Sequence, residues 1–417
     1  MTIPKRTRLR EAHAHIFQLG RSLTMADLSG CASREETIAT LADHASPLGP
    51  DEWVLAHGIR TDGWDDPRYP TRVELDRVCS ARPVCAWCFD YHALCASTAA
   101  FTQAGIGKDT RYDHGRVELD ASGEPTGVLL EHAALALWNR VPEPDESRRH
   151  GLVRDACAHL AGLGFVEIHD LKAQPWLGGV LSDLIKGREI SMRCSLFPLE
   201  ADLEPTIAAR PGWDDSVVLG GMKIFTDGTL NSRTAWMLEP FRDGPAANPS
   251  GTPMMSERQI ADACRVAKSQ GLPIAAHAIG DGAVRAVLDA IEATGCAHSG
   301  CRIEHAELIH PDDLGRFHQL GVIASLQPCH LLADIEALRK AVPDRLDRVL
   351  PIRSLIDSGL VPGRDLLFGS DVPIVRADAD DSIQAAVHRC RAGMDEADAI
   401  GIGQAIGADE AWACFAG

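Results

Sequence analysis

The sequence lacks both a membrane-spanning run and a secretory leader. No stretch approaches the ~18 uninterrupted apolar residues that a transmembrane helix needs. The opening segment, MTIPKRTRLREAHAH, carries basic residues without an apolar segment behind them, so it does not resemble a secretion signal. We therefore expect no membrane partner.

Basic residues are also in short supply. The 417 residues include 41 lysines and arginines against 59 acidic residues, a net charge of −18. Such a surface repels phosphate backbones, so we do not expect nucleic acid as a partner. A small-molecule substrate remains, and association into a homo-oligomer stays open.

The sequence also lacks the cysteine pattern of a disulfide framework. The 13 cysteines are odd in number and scattered along a long chain, which predicts reduced thiols in the cytoplasm. Cys85 and Cys88 form a single C-x-x-C, and no second pair exists to complete a zinc ribbon. The run PVCAWCF favours a buried strand with the two thiols on opposite faces, a redox or zinc pair being the alternative.

Short β-rich runs alternate with helical patterns from about residue 150 onward. The runs are FVEIHD (165–170), SMRCSLF (191–197), SVVLGGMKIF (216–225), LPIAAHA (272–278), CRIEHAE (301–307), GVIASLQ (321–327) and DLLFGSD (365–371). Between them, Ser256 and Gln259 have capping-box spacing at a helix start, and Asp281 is expected to cap a second helix. Alternation of this kind predicts parallel strands with helical crossovers.

The segment RLREAHAHIF supplies an eighth strand near the N-terminus. Eight such units predict an α/β fold with a closed (β/α)8 TIM barrel, whose reactive residues lie at the C-terminal strand ends. We expect residues 1–16 to form the first barrel strand and residues 151–417 the remainder of the barrel. Residues 17–150 are predicted to be an inserted subdomain that covers the barrel mouth.

Metal-compatible side chains recur at these predicted strand ends. His13 and His15 lie two residues apart on a strand and therefore face the same side. His277, His305 and Asp371 end three later strands. Each residue alone could be a satisfied polar group of the core, but their common position predicts one metal site.

Lys223, which ends GGMK, belongs to the same set. A protonated ammonium cannot bind a metal, but a buried neutral amine is nucleophilic and can capture carbon dioxide as a carbamate. Such a carbamate can bridge two metal ions as a carboxylate would. The alternative is that Lys223 pairs with Asp227 or another acid.

These motifs resemble the amidohydrolase superfamily, and specifically amidohydrolase family 3, the group with N-substituted formamide deformylase-like proteins. The matching phrases are MKIFTDGTLNSRTA, AHAIGDGAV, RIEHAELI, SLQPCHLLAD, FGSDVPI, GWDDPRYPTRVELDRV, PVCAWCFDYHALCAS and PTGVLLE. They extend over nearly the whole chain. Two departures are Glu11, where the family more often has Asp, and Tyr91, where a small residue is common.

The resemblance implies a ligand set and cofactors. The family pattern of H-x-H, carboxylated lysine, two histidines and an aspartate matches His13, His15, Lys223, His277, His305 and Asp371. It implies two divalent metal ions, with zinc first and iron, manganese or nickel as alternatives, and a carbamate on Lys223. The family's β-sandwich is expected to be largely absent, because only residues 1–12 precede the H-x-H motif and only residues 372–417 follow the aspartate.

The resulting hypothesis is hydrolysis of an amide-like C–N bond, such as an N-formyl, N-acyl or cyclic amide, by a metal-bridging hydroxide. Asp371 and Lys223 are the predicted catalytic residues. The alternatives are a deaminase or an ester or lactone hydrolase of the same superfamily, and a non-catalytic barrel scaffold. Predicted substrate-binding residues, each with second-sphere support as its alternative role, are His92, Asp227, Arg233, Gln327 and His330.

Overall fold

Fifteen β-strands lie within the residues that the computed structural model describes, which are 8–61, 64–79, 81–89, 91–112 and 115–417. In chain order they are β1 (Leu9–Ala14), β2 (Ala26–Asp27), β3 (Val54–Ile59), β4 (Val84–Cys88), β5 (Ala93–Ala96), β6 (Gly115–Leu119), β7 (Pro125–Glu131), β8 (Phe165–Asp170), β9 (Arg193–Leu196), β10 (Val217–Leu219), β11 (Met222–Phe225), β12 (Ile274–Ala278), β13 (Arg302–His305), β14 (Ile323–Leu326) and β15 (Leu366–Phe368).

Fifteen α-helices separate these strands over the same described ranges. They are α1 (Ile16–Ser22), α2 (Arg34–Ala45), α3 (Arg72–Leu75), α4 (Thr98–Ala104), α5 (His132–Trp138), α6 (Glu146–Gly162), α7 (Leu177–Lys186), α8 (Glu200–Ala209), α9 (Glu257–Ser269), α10 (Asp281–Thr294), α11 (Pro311–Leu320), α12 (Cys329–Ala341), α13 (Ile352–Asp357), α14 (Ala379–His388) and α15 (Ala408–Ala413). None of the described helices is both long and apolar enough to cross a bilayer.

The chain divides into two compact units. One consists of the residues up to Phe17 together with Val153–Gly417, and the other is Gln18–Leu152. The first unit is a mixed α/β fold in which parallel strands alternate with helices. All of the residues predicted as metal ligands belong to it.

Two parallel sheets build the first unit. Their strand orders are β1-β8-β9-β10 and β11-β12-β13-β14-β15, and every pairing within them is parallel. Two isolated parallel bridges connect the two sheets. Ala14 of β1 pairs with Val372, which follows β15 and is next to Asp371, and Lys223 of β11 pairs with Leu199, which follows β9.

β10 and β11 were predicted as one strand, and the structure interrupts that run at Gly220 and Gly221. A Cβ at Gly220 would lie 2.6 Å from the Phe197 ring, and one at Gly221 would lie 2.6 Å from the Pro273 carbonyl oxygen. The absence of side chains therefore permits two close approaches at this point. The break separates the strand that pairs with β9 from the strand that pairs with β12.

The two predicted helix starts have different outcomes. Ser256 caps α9 and forms the predicted capping box with Gln259, so that prediction is confirmed. Asp281 does not cap α10, because Gly280 occupies the N-cap position and Asp281 is the first helical residue. Its carboxylate instead accepts a hydrogen bond from the Leu238 backbone N–H at 2.8 Å.

The second unit contains a mixed sheet of order β2-β3-β4-β5-β7-β6, parallel from β2 to β4 and antiparallel beyond. Two hydrophobic clusters include strand β4, and Cys85 belongs to one while Cys88 belongs to the other. Both cysteines are buried free thiols within that strand. The buried-strand interpretation of the C-x-x-C run is therefore confirmed.

Candidate metal centre

The six predicted ligands lie on or just beyond five strands of the first unit. His13 and Lys223 are inside β1 and β11, and His277 is the penultimate residue of β12. His305 is the last residue of β13. The two that follow a strand are His15 and Asp371. The expectation that each ends its strand is therefore only approximate, most clearly for Lys223, which is the second of four residues.

Three of these side chains offer donor atoms to a common point. One ligand atom each from His13, His305 and Asp371 lie within 4.8 Å of one another, and all three residues are buried. His13 Nε2 is 3.4 Å from Asp371 Oδ1, and the ring centroids of His13 and His305 are 4.8 Å apart. A carboxylate between imidazoles at these separations suits a divalent transition metal.

His15 and His277 extend this cluster on two sides. His15 Nε2 lies 2.9 Å from the same Oδ1 atom of Asp371. The His277 ring centroid is 4.6 Å from that of His305. The four imidazoles and the one carboxylate are thus contiguous, as a site with more than one ion would require.

Lys223 is buried beside this cluster, with Nζ 4.8 Å from the Phe225 ring centroid. Phe225 in turn lies 5.3 Å from the His277 ring. Burial lowers the pKa of Lys223 to about 8, although the nearby Glu304 and Asp371 carboxylates oppose that effect. A substantial neutral fraction is therefore available near neutral pH, as carbamate formation needs.

Unpartnered buried polar atoms test whether this cluster fits a metal. Among the described residues, His15 Nδ1, His305 Nδ1 and Lys223 Nζ are buried without a hydrogen-bond partner. Leaving such atoms unsatisfied costs about 1–3 kcal/mol each, so native proteins normally supply a partner. These residues therefore fit a centre of metal cations with a lysine carbamate, because cations and a carbamate carbon would bond to unpartnered nitrogen atoms.

The histidines have the protonation state that metal binding requires. Burial lowers the pKa of His13 to about 4 and that of His277 to about 3. The pKa of His305 is also lowered well below its usual value, first by burial and then by His277 and His13. Burial alone would raise the pKa of Asp371, yet His13, His15 and His305 together hold it well below its ordinary value. The imidazoles of His13, His277 and His305 are therefore neutral, in a cluster with an ionised carboxylate.

Glu304 orients His13, a contact that the sequence analysis missed. Its Oε2 lies 2.7 Å from His13 Nδ1, and both side chains are buried. An ionised carboxylate can only accept, so His13 donates from Nδ1 and directs the lone pair of Nε2 towards Asp371. The Arg302 guanidinium and His13 hold the pKa of Glu304 below its usual range, although burial opposes them.

Arg302 extends this contact across four strands. Its guanidinium donates to Glu304 and also to the Ala12 carbonyl oxygen (2.7 Å), Ser325 Oγ (2.8 Å) and His169 Nδ1 (2.8 Å). The adjacency of Glu304 to His305 in RIEH was the only available signal for this network. Its partners are far apart in the chain and cannot be assigned from sequence.

Left-handed backbone conformations occur at the ligands themselves. His305, Ala306 and Asp371 have φ values of 71°, 42° and 63°. Non-glycine residues rarely adopt such values, which cost of order 1–3 kcal/mol each and concentrate at functional sites. The surrounding fold therefore imposes the directions of His305 and Asp371.

Comparison with known proteins decides the family. A sequence profile of the amidohydrolase family matches residues 9–414. The chain belongs to this family. The resemblance inferred from the motifs is thereby confirmed, and the match covers both units.

Relatives of this family member include the putative amidohydrolase YtcJ of Bacillus subtilis. The two sequences are 28% identical over 391 residues, and the aligned region covers 91% of this chain and 72% of YtcJ. The N-substituted formamide deformylase of Arthrobacter pascens is 27% identical over 378 residues, which are 84% of this chain and 68% of that enzyme. A metal-dependent hydrolase of Pyrococcus horikoshii has a similar structure, with a TM-score of 0.79 and 26% identity over 97% of this chain and 78% of its own. These similarities support a hydrolase with a metal site.

Gln327 and His330, two of the predicted substrate-binding residues, lie beside the predicted metal ligands. Gln327 Nε2 is 3.3 Å from His13 Nδ1, and its Oε1 is buried without a partner among the described residues. His330 is half-buried, and its Nε2 lies 3.1 Å from the Ser370 carbonyl oxygen. Both side chains are therefore brought to the candidate centre.

The other three have local partners, although Asp227 Oδ1 also lies 3.5 Å from Nε2 of the predicted ligand His277. The Asp227 carboxylate accepts hydrogen bonds from three backbone N–H groups, those of Trp236, Ile279 and Gly280. The Arg233 guanidinium pairs with both carboxylate oxygens of Asp243, at 2.6 and 2.7 Å. His92 lies in the second unit, where its Nδ1 is 2.9 Å from Glu131 Oε2.

Proposed function

We propose that this chain is a metal-dependent amidohydrolase that cleaves an amide-like C–N bond, such as an N-formyl, N-acyl or cyclic amide. The observation that carries the proposal is the contact of the ionised Asp371 carboxylate with His15 and with a neutral His13, beside a buried Lys223 without a hydrogen-bond partner among the described residues. The name of the deformylase relative supports the choice of bond.

The proposal includes a closed barrel. The two parallel sheets contain nine strands, and β10 and β11 would count as one strand interrupted at Gly220 and Gly221, which gives eight. The bridge from Ala14 to Val372 supports closure between β1 and β15, and the bridge from Leu199 to Lys223 links the segment after β9 to β11. In such a barrel the ligands would share the C-terminal rim.

The ligands divide naturally between two ions. His13, His15 and Asp371 would hold one ion, and His277 and His305 would hold the other, with a carbamate on Lys223 between them. The carbamate would form when the neutral Nζ adds to the carbon of carbon dioxide and one proton is released. Zinc is the first choice of metal, and iron, manganese or nickel would suit the same donors.

Two divalent ions bound here would act as Lewis acids on a carbonyl oxygen and would lower the pKa of a shared water towards ~7, giving a hydroxide nucleophile at neutral pH. Asp371 would accept the proton of the nucleophile and deliver it to the leaving nitrogen. Glu304 would keep His13 in the required tautomer throughout. Gln327 and His330 would contact the substrate, because both already lie beside the ligands.

We further propose that the protein works in the cytoplasm. All thirteen cysteines are free thiols, and eleven of them are buried. Reduced thiols in this number suit a reducing compartment.

Metal content and turnover test the proposed function together. Chelator-stripped protein reloaded with zinc or manganese should hydrolyse members of a panel of N-formyl and N-acyl amino acids, dipeptides and cyclic amides. Asp371→Asn should retain bound metal but lose turnover by orders of magnitude, because the proton acceptor is gone. His388→Gln, which changes an exposed histidine of α14, is the matched control and should behave as wild type. Protein that binds less than about half an equivalent of metal, with no activity restored by zinc or manganese, would indicate a non-catalytic scaffold.

A further inference from the structure

We propose that Glu307 and His330, together with His305, form an additional site for a divalent transition-metal ion beside the predicted centre. The proposal depends on the proposed function only through His305, which belongs to both groups of potential ligands. Glu307 was not singled out from the sequence, and His330 was predicted only to bind substrate.

The three side chains converge on one point. A ligand atom from each of His305, Glu307 and His330 lies within 4.8 Å of the other two. His305 and Glu307 are buried, and His330 is half-buried. This grouping is distinct from the one that joins His305 to His13 and Asp371.

The backbone after β13 directs His305 and Glu307 to the same region. His305 and Ala306 both have left-handed φ values, so the chain turns sharply between the two ligands. The turn is fixed by hydrogen bonds from Ala306 N to Ala278 O (2.9 Å) and from Leu308 N to Ile279 O (3.0 Å). The directions of both side chains are therefore set by the fold before any ion binds.

The tautomer of His330 leaves a free lone pair. A carbonyl oxygen can only accept, so the 3.1 Å contact between His330 Nε2 and Ser370 O makes Nε2 the protonated nitrogen. Metal-binding histidines commonly donate their other ring N–H to a backbone carbonyl in this way. The lone pair of His330 Nδ1 is then available on the side that faces Glu307.

The spacing between these two donors suits ligands of one ion. His330 Nδ1 and Glu307 Oε1 are 3.9 Å apart, which is too far for a hydrogen bond. Metal bonds of about 2.0–2.2 Å to nitrogen and oxygen place two ligands of one ion about 3–4 Å apart. His305 Nδ1, meanwhile, is buried without a partner in the described part of the chain.

The local charge favours a cation. Burial raises the pKa of Glu307 well above its ordinary value, and the nearby Asp334, Asp227 and Asp371 carboxylates raise it further. Concentrated carboxylate charge in a buried region is unfavourable, and a bound dication would offset it. Two imidazoles with one carboxylate form a donor set that zinc, iron and manganese accept, so these imidazoles favour a metal ion over the ammonium group of a substrate.

Metal stoichiometry tests the site directly. Wild-type protein, Glu307→Gln and His330→Gln are stripped with a chelator, reloaded with Zn²⁺, desalted and measured by elemental analysis. Each variant should hold one equivalent fewer than wild type, and the affinity for that ion should fall by about 100-fold or more. The controls Glu257→Gln and His388→Gln change exposed residues and should load as wild type does. Equal loading of wild type and both test variants would overturn the proposal.

His13→Ala separates this proposal from the proposed function, because it removes a donor of the predicted centre only. If zinc loading falls in Glu307→Gln but not in His13→Ala, the additional site stands and the predicted centre fails. The opposite result, in which zinc loading falls in His13→Ala but not in Glu307→Gln, rules out the additional site and supports the predicted centre.

Crystals of the wild-type protein soaked in Mn²⁺ give a measurement that needs no variant. An anomalous peak at bonding distance from both Glu307 and His330 is expected. Peaks confined to His13 and Asp371, or a substrate ammonium in place of the ion, would refute the site.

Discussion

Replacing Glu304 with glutamine tests the link between the folded core and the candidate metal centre. The Glu304 side chain is completely buried, with Oε2 at 2.7 Å from His13 Nδ1 and 3.2 Å from Arg302 Nη2. Glutamine preserves the shape of this side chain but removes its charge. The variant therefore leaves the Arg302 guanidinium buried without its carboxylate, and its single amide oxygen cannot accept from both His13 and Arg302 as the two carboxylate oxygens do.

The size of the effect follows from these contacts. Breaking a buried ion pair by removing one partner costs about 3–5 kcal/mol. Arg302 keeps its hydrogen bonds to Ala12 O and Ser325 Oγ, so we expect Glu304→Gln to lower the free energy of unfolding by about 3 kcal/mol, the lower end of that range. Loss of the residue that orients a ligand typically weakens metal binding 10–100-fold, so the zinc affinity should fall by about that factor.

Urea denaturation of chelator-stripped protein measures the first effect, and zinc competition with a chromophoric chelator measures the second. Glu336→Gln is the matched control, because Glu336 pairs with Arg391 through two contacts of 2.7 and 2.6 Å but is largely exposed. An exposed pair contributes about 0–1 kcal/mol, so this control should unfold nearly as wild type does. It should also leave zinc affinity unchanged.

The reasoning fails if Glu304→Gln costs less than about 1 kcal/mol and binds zinc as tightly as wild type. The double variant Arg302→Met with Glu304→Gln provides a second check. It leaves no unpaired charge, so its loss of unfolding free energy should be smaller than the sum of the two single losses.

Three further predictions concern packing and thiol chemistry. A Cβ at Gly369 would lie 2.4 Å from the His13 backbone nitrogen. We therefore expect Gly369→Ala to lower the free energy of unfolding by about 1–3 kcal/mol and to reduce the zinc content. A variant with the zinc content of wild type would contradict this prediction. A thiol reagent should label Cys31 and Cys79 in the native protein before it labels the eleven buried cysteines. Cys79 should react first, because the Arg82 guanidinium lowers the pKa of its thiol. Mass spectrometry of samples taken over time measures the order of labelling. The buried Arg389 donates hydrogen bonds to three backbone carbonyls. Arg389→Met should therefore lower the free energy of unfolding by about 3 kcal/mol or more, measured by thermal unfolding. An unchanged melting temperature would rule this prediction out.

Strand positions in the first unit could be predicted because apolar β-rich runs were bounded by polar or turn residues. The run FVEIHD matches β8 to the residue. The run at 216–225 was extended across Gly220 and Gly221, where the structure breaks. That break depends on close approaches by Phe197 and Pro273, and no local pattern could reveal them.

The convergence of the predicted ligands followed from a simple geometric rule, since strand ends in a parallel α/β fold lie on one side. The residues that orient those ligands could not be obtained in this way. Glu304 contacts His13 across 291 positions of sequence, and Arg302 contacts Ala12 across 290. Arg233 was predicted to bind substrate, but its guanidinium already pairs with Asp243, and only the folded loop places the two together.

The network around Arg302 makes ion binding a property of the entire first unit. Its guanidinium contacts groups on β1, β8, β13 and β14, so these four segments must dock before His13 acquires its direction. A clipped polypeptide without its first fifteen residues would lack the imidazoles of His13 and His15 and the carbonyl of Ala12. Zinc binding would therefore report whether β1 has docked against strands that lie almost three hundred residues later in the sequence.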